Sequence, residues 1–275
     1  GDAQIRHFDT APHYGVGLSE SRLGIALAGR PRKDYTISTK VGRLLVPASD
    51  GSLVRTWDFS ESGLRASLEG SLSRTRLDRF DTVYLHDPEQ SDIESALEEG
   101  LPALAALRDQ GLFTRAGVGS TDVATLLSAA KTGLIDCVMI AGKTTPLDNT
   151  ASRELLPFCG SHGIKVTAAA VFNSGILASD DIPDTAKYGY QAAASDTLAR
   201  ARTLRDLCRS FGVPLPSVAV QFSARQEAVE QVVVGADSSA QLAETVGHVD
   251  FTIPDQLWAE LTAIIEDTQK AEEKA

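Results

Sequence analysis

The 275-residue sequence predicts a closed parallel (β/α)8 barrel, organised as one domain over residues 1–275. Short β-branched or aliphatic runs alternate with longer segments of helical period, the signature of repeated βα units. The alternation runs without a central break or a low-complexity stretch, which fits a barrel better than a doubly wound sheet. With 43% apolar residues, the chain has enough material for a full core.

The strand candidates, in order, are 5–9, 35–41, 80–86, 114–119, 135–141, 164–171 and 231–235. Each is a short apolar or β-branched run, and the first three end in polar side chains: Phe8-Asp9, Thr39-Lys40 and Leu85-His86. Between and after them, helical period marks 19–28, 60–75, 92–110, 122–131, 152–162, 194–211, 217–224 and 238–246. Ser60 followed by Glu61 announces one helix start, and Pro254-Asp255 opens a last apolar helix ending near Glu266. Seven strands are one short of the eight that close such a barrel. Because Gly1-Asp2-Ala3-Gln4 stands directly before a strand, the expectation is that the first strand and helix lie upstream.

Charge narrows the function. A formal net charge of −11 argues against a nucleic-acid or anionic-membrane partner, which would need clustered Lys and Arg, and favours a small-molecule partner. No run approaches the roughly 18 apolar residues of a membrane span, and no export signal is recognisable. Cys137, Cys159 and Cys208 are widely spaced and set among apolar residues, so they read as reduced core residues of a cytoplasmic protein.

In a barrel, the carboxyl ends of the strands and the loops after them converge on one face. That rule brings Asp9, Lys40 and His86 together with Tyr14, which stands in the loop after the first strand. A cation beside a phenol favours phenolate and lowers its pKa, and Asp9 would keep Lys40 charged and in place. His86 would then hydrogen-bond the oxygen of a reacting carbon while Tyr14 moves its proton, the chemistry of carbonyl/alcohol redox. Trp57, read as part of the loop after the Lys40 strand, offers an apolar wall for a ring or packs on the barrel rim. A rival metal-hydrolase reading would use His7, Asp9, His13 and His86. It lacks an H-x-H pair and a second acidic strand end, so no metal is expected.

The segment Phe8-Asp9-Thr10-Ala11-Pro12-His13-Tyr14-Gly15-Val16-Gly17-Leu18-Ser19-Glu20, followed by Leu23-Gly24-Ala26-Leu27, strongly resembles the aldo-keto reductase signature. Ser38-Thr39-Lys40 and Leu85-His86 match that family's two other catalytic blocks. Thr39-Lys40-Val41-Gly42-Arg43-Leu44-Leu45, His86-Asp87-Pro88 and Phe172-Asn173-Ser174-Gly175-Ile176-Leu177-Ala178 resemble its aldose dehydrogenase branch, which includes L-fucose, D-threo-aldose, L-galactose and pyridoxal dehydrogenases. The resemblance implies a catalytic tetrad of Asp9, Tyr14, Lys40 and His86. It also implies oxidation of a cyclic hemiacetal to a lactone, with Tyr14 as acid/base and hydride passing to nicotinamide. The family also contains general aldehyde and ketone reductases and nucleotide-binding channel subunits, which stand as the alternatives.

The resemblance further implies a dinucleotide held without a Rossmann loop, and no G-x-G-x-x-G follows a strand here. Ser120 and Thr121 would face the carboxamide, with Thr121 replacing the usual asparagine. Phe172, Asn173, Ser174, Gly175 and Leu177 would hold the nicotinamide and pyrophosphate, and Gly235, Asp237, Ser238, Gln241, Glu244 and Thr245 the adenosine end. Relatives that prefer NADP carry a Lys and an Arg where this chain has Gly235 and Gln241. Asp237 between them would repel a 2′-phosphate, so NAD is expected over NADP, unless Asp237 serves only to cap the next helix. The run Ala141-Gly142-Lys143-Thr144-Thr145-Pro146-Leu147 departs from the Arg-Tyr-Thr run of the sugar dehydrogenases, which bears on the substrate.

Overall fold

The computed structural model describes residues 5–50 and 52–272, so the Gly1-Asp2-Ala3-Gln4 start lies outside the described residues. The chain divides into two compact units, Gly1–Ile140 with Phe158–Val166, and Ala141–Pro157 with Thr167–Ala275.

In the first unit, chain order gives β1 (His7–Asp9), α1 (Leu18–Leu27), β2 (Thr36–Val41), β3 (Arg43–Pro47), β4 (Leu53–Trp57), α2 (Glu61–Thr75) and β5 (Thr82–His86). A single turn α3 (Ile93–Ser95), a π-helical turn (Ala96–Gly100) and α4 (Leu101–Asp109) follow, then β6 (Arg115–Ser120), α5 (Val123–Lys131), β7 (Cys137–Ala141) and α6 (Leu155–His162). Strands β1, β2, β5, β6 and β7 pair in that order and in parallel. Every residue of β5 is buried, as expected of a parallel strand covered on both faces. Leu64 and Leu68 of α2, Leu101 and Leu104 of α4, and Leu126 of α5 supply the helical side of this core.

The helix starts follow from their caps. Ser60 Oγ accepts from the Gly63 amide at 3.1 Å, Asp92 Oδ1 from Ser95 at 3.1 Å, and Asp122 Oδ2 from Thr125 at 2.8 Å, each satisfying an otherwise orphaned donor. Helix α1 presses onto the end of α2 at Gly24, where an added Cβ would stand 2.1 Å from the Thr75 carbonyl oxygen.

Strand β8 (Lys165–Ala169) starts in the first unit and ends in the second, which holds the two-residue strands β9 (Lys187–Tyr188) and β10 (Gln191–Ala192), α7 (Ser195–Ser210), α8 (Leu215–Ala224), β11 (Val229–Val233), α9 (Ser239–Val249) and α10 (Asp255–Glu272). Strands β8 and β11 are sheet neighbours. Leu198 and Leu204 of α7, Val218 of α8, and Leu257 and Leu261 of α10 form the centre of its apolar core.

All seven expected strands are present, with ends shifted by a few residues. Four local readings are corrected. The segment after β2 is not a loop but the antiparallel β3–β4 hairpin, in which Arg43 pairs with Trp57. The helix expected over 92–110 is interrupted by the π turn at Ala96–Gly100. Helix α6 begins at Leu155, after a 3-10 turn at Thr150–Ser152, because the chain first winds around Asp148. The last helix continues past Glu266 to Glu272.

Candidate active site

Parallel strands carry the side chains at their carboxyl ends to one edge of the sheet. In the first unit, β1 ends on Asp9, β2 on Lys40-Val41 and β5 on His86. Register sets their neighbours: Asp9 beside Ser38, Lys40 beside Tyr84, and His86 beside Gly119.

Lys40 is 2% exposed. Its ammonium donates to Asp9 Oδ2 at 2.5 Å and to the Thr10 carbonyl at 3.0 Å. Ser38 Oγ donates to Asp9 Oδ1 at 2.6 Å, so both carboxylate oxygens are engaged. The same ammonium lies 4.7 Å from the centre of the Tyr14 ring, and that ring meets His86 edge to face at 6.0 Å. The structure therefore brings Asp9, Tyr14, Lys40 and His86 together. Asp9 and Tyr14 also line an open concavity of about 500 Å³.

The electrostatics follow from burial and neighbours. Burial works against the charge on Lys40, yet Asp9 and Tyr14 outweigh it and hold the ammonium above its usual pKa. Burial pushes the Tyr14 phenol above its usual value, and Lys40 pulls it back only in part. The expected lowering of Tyr14 is thus corrected, because desolvation of a phenolate exceeds the attraction of one ammonium already neutralised by Asp9. His86 is held well below the usual imidazole range by burial first, then by Lys40 and Arg43, and is a neutral ring at neutral pH.

Behind these residues, Glu20 of α1 is fully buried, accepting from Thr39 Oγ1 at 3.0 Å and from Arg74 Nε at 2.5 Å. It ties the Leu18-Ser19-Glu20 segment to the residue preceding Lys40. Buried with a paired guanidinium and a hydroxyl donor, the carboxylate is satisfied.

Residues without a role in the sequence reading stand beside His86. Arg43 Nη1 reaches Asp87 Oδ2 at 3.3 Å while its guanidinium lies 4.9 Å from the centre of the Trp57 ring. Trp57 therefore serves as a platform for Arg43. Asp87 has a left-handed backbone, φ 44 and ψ 53, and its Oδ2 lies 3.6 Å from His86 Nε2. Burial, with the charge of Glu89 added, pushes the Asp87 carboxyl up to about 6. Both segments were visible in sequence as Gly42-Arg43 and His86-Asp87-Pro88, but nothing there reveals that they meet.

His7 bonds Thr36 Oγ1 at 2.9 Å and Ser38 Oγ at 3.3 Å, and His13 packs edge to face on His86 at 6.0 Å. Among the described residues no three His, Cys, Asp or Glu side chains gather as a ligand set.

The residues expected to meet a dinucleotide take these positions. In the first unit, Ser120 closes β6 and its hydroxyl accepts from the Asp122 amide at 2.8 Å, while Thr121 is exposed. In the second unit, Ala170, Asn173 and Ser174 all have positive φ, an unusual concentration of strain in a loop after a strand. Phe172 begins that turn, Gly175 has φ 95, and Leu177 is fully buried beneath it. Asn173 Nδ2 donates to the Gly142 carbonyl at 3.0 Å, whereas Asn173 Oδ1 is buried and lacks a hydrogen-bond partner, an acceptor suited to an amide or hydroxyl of a ligand. Gly235 is open, with nothing within 4 Å of an added Cβ. Ser238 caps α9 by accepting from the Gln241 amide at 3.2 Å, and Gln241 Oε1 accepts from the Asp237 amide at 2.7 Å. The cap is thus Ser238, which leaves the exposed Asp237 carboxylate unused for capping. Glu244 is exposed and Thr245 partly so. These features fit a nicotinamide dinucleotide: a buried unsatisfied acceptor, a strained turn and a glycine open to close approach. The departing run at 141–147 is organised around Asp148, which takes Lys143 Nζ at 2.7 Å and the Tyr188 hydroxyl at 2.8 Å.

The aldo/keto reductase family model matches residues 2–266. The chain is 40% identical to a D-threo-aldose 1-dehydrogenase of a Pseudomonas species, covering 94% of this chain and 84% of that protein. It is 32% identical to a pyridoxal 4-dehydrogenase of Microbacterium luteolum, with the same coverage of 94% and 84%. Among solved structures, the holo form of an aldo-keto reductase from Bacillus halodurans matches with a TM-score of 0.77 at 25% identity, covering 94% of this chain and 82% of that one. The chain belongs to the aldo/keto reductase family, whose (β/α)8 barrel is its fold. It is an NAD(P)-dependent oxidoreductase of that family. All three cysteines are free and buried, and among the described residues no helix is long and apolar enough to cross a membrane.

Proposed function

We propose that this protein oxidises the cyclic hemiacetal of an aldose, or of pyridoxal, to a lactone, and that it does so in the cytoplasm as one aldo-keto reductase domain. The observation that carries the reading is the convergence of Asp9, Lys40, Tyr14 and His86, with Lys40 held between the carboxylate and the phenol. The 40% identical relative is a dehydrogenase of aldoses, which favours that substrate class over simple aldehydes.

Tyr14 takes the proton of the anomeric hydroxyl. Its phenolate is stabilised by Lys40, whose charge Asp9 maintains. Neutral His86 donates a hydrogen bond to the same oxygen and orients it as the C–O bond gains double-bond character. A bound nicotinamide supplies the hydride acceptor. We assign Ser120 and Thr121 in the first unit to that cofactor. In the second unit the assignment covers Phe172, Asn173, Ser174, Gly175 and Leu177, with Gly235, Asp237, Ser238, Gln241, Glu244 and Thr245 at the adenosine end. NAD is preferred, since the free carboxylate of Asp237 opposes a 2′-phosphate.

The test is formation of reduced nicotinamide from NAD and from NADP with L-fucose, L-galactose, D-arabinose and pyridoxal, with Tyr14→Phe alongside. The expected result is NADH formation with one of them that falls by about 10²–10⁴-fold in the variant. Reduction of aldehydes alone would move the function to carbonyl reduction. Cofactor binding without turnover on any substrate would make the protein a nucleotide-binding subunit.

A further inference from the structure

The loop after β5 carries two carboxylates, Asp87 beside His86 and Glu89 two residues on, and Arg43 of β3 reaches the first of them. Asp87 adopts a left-handed conformation, φ 44, although it has a side chain, and its backbone N–H donates a hydrogen bond to the Gly119 carbonyl at 2.8 Å. Backbone strain of this kind persists only where surrounding structure enforces it, and it clusters at working sites. What the strain achieves is the aim of the carboxylate toward His86 Nε2.

The two oxygens of Asp87 differ. Oδ2 accepts from Arg43 Nη1 at 3.3 Å and Gln90 Nε2 at 3.2 Å, and lies 3.6 Å from His86 Nε2. Oδ1 makes no hydrogen bond among the described residues, on a side chain that is 19% exposed. Behind it, both carboxylate oxygens of Glu89 are buried without a hydrogen-bond partner. The Arg43 guanidinium faces the charges of both carboxylates, with the Arg55 guanidinium also acting on it. An ionised carboxylate offers about four lone-pair sites and no donor, so this cluster has a surplus of acceptor capacity. It favours a ligand that brings hydrogen-bond donors.

Resting on the assignment of His86 to the reacting oxygen, we infer that Asp87 Oδ1 accepts a hydrogen bond from the substrate hydroxyl adjacent to the reacting carbon, making Asp87 and its Arg43–Glu89 support the specificity determinant for neutral polyhydroxylated hemiacetals. Neighbouring hydroxyls on a sugar ring lie about one hydrogen-bond length apart. Oδ1 belongs to a carboxylate whose other oxygen, Oδ2, lies 3.6 Å from His86 Nε2, which brings it within reach of the second hydroxyl when the first bonds His86. Glu89 keeps Arg43 from fully neutralising Asp87, so the acceptor remains strong.

The test compares kcat/KM for an aldose that the enzyme oxidises with that for its 2-deoxy analogue, in the wild type and in Asp87→Asn. Asparagine tolerates the left-handed backbone, so the loop geometry is retained. The wild type is expected to favour the aldose by about 10–100-fold, the span of a hydrogen bond to a charged group. In the variant the ratio collapses to within about threefold, with the loss appearing on the aldose, since a neutral amide is the weaker acceptor. A wild-type ratio near one overturns the inference without any variant. So does a variant that slows both substrates equally, which would make Asp87 a support for His86 alone. A wild type that oxidises pyridoxal and no aldose overturns the inference while leaving hemiacetal oxidation intact. Absence of any Tyr14-dependent oxidation overturns the underlying reading itself.

Discussion

Replacing Lys40 by Met isolates the interaction on which the site rests. The Lys40 and Asp9 side chains are only 3% and 5% exposed, and their contact is 2.5 Å. Methionine keeps the length of the aliphatic stem, so the change removes charge with little change of volume. Asp9 would retain only the Ser38 hydroxyl, and the Thr10 carbonyl would lose its donor. Removing one partner of a buried ion pair costs about 3–5 kcal/mol, mostly because the survivor is left charged and unpaired. In a chain of this size that lowers Tm by on the order of 10 °C. The Asp9→Asn/Lys40→Met double variant leaves no orphaned charge, so its loss should fall well short of the sum of the single losses, with a coupling of about 2 kcal/mol or more. Denaturant unfolding of the four proteins, at fixed pH and salt, reads both quantities. Additive single losses, or a Lys40→Met protein within about 0.5 kcal/mol of wild type, would show that the pair is not a buried, mutually dependent unit.

Four further outcomes follow. Gly24→Ala should destabilise by about 1–3 kcal/mol, since its Cβ meets backbone of α2 at 2.1 Å, whereas Gly70→Ala, facing the flexible end of Arg74 at 3.1 Å, should not; equal effects in denaturant unfolding would refute the tight α1–α2 crossing. Oxidation should accelerate toward alkaline pH because Tyr14, raised by burial, must lose its proton to act as base, and a kcat profile flat through the alkaline range would remove Tyr14 from that role. Asp87, raised by burial and Glu89 to about 6 against the pull of Arg43 and Lys40, binds its proton more tightly folded than unfolded, so its contribution to stability is lost as pH rises from 3.8 to about 6. The stability of Asp87→Asn minus that of wild type should therefore be more positive at about pH 7 than at about pH 4, and a pH-independent difference would count against the shift. Asp237→Asn should improve kcat/KM for NADP about fivefold at low salt, the effect of removing about 1 kcal/mol of repulsion, and no change would place the 2′-phosphate elsewhere.

The central strands are legible in sequence because their β-branched and aliphatic runs are buried on both faces, as in Thr82-Val83-Tyr84-Leu85-His86. Helix starts were legible where a polar residue caps them locally, as Ser60, Asp92 and Asp122 do. The convergence of Asp9, Lys40 and His86 follows from parallel topology, since any polar residue closing such a strand is delivered to the same edge. The β3–β4 hairpin is not legible in the same way, although Asp50-Gly51 between Pro47 and Leu53 is a turn signal, because its strands have no buried residue and carry no apolar periodicity.

Sequence reasoning weakened where an outcome depends on a balance of opposing effects. At Tyr14 the sequence reveals the ammonium of Lys40 but not the desolvation of the phenol, and the larger effect sets the sign. Asp237 and Ser238 are both good capping residues, and only the geometry of the turn selected Ser238. Asp87 is the clearest instance. His86-Asp87-Pro88 identifies a loop, while the left-handed φ, the arrival of Arg43 from a different strand and the burial of Glu89 are tertiary facts. The residues that move a proton are specified by chemical type and can be read one at a time. Those that choose a substrate are specified by how charges share neighbours, so substrate choice emerges only once the chain has folded.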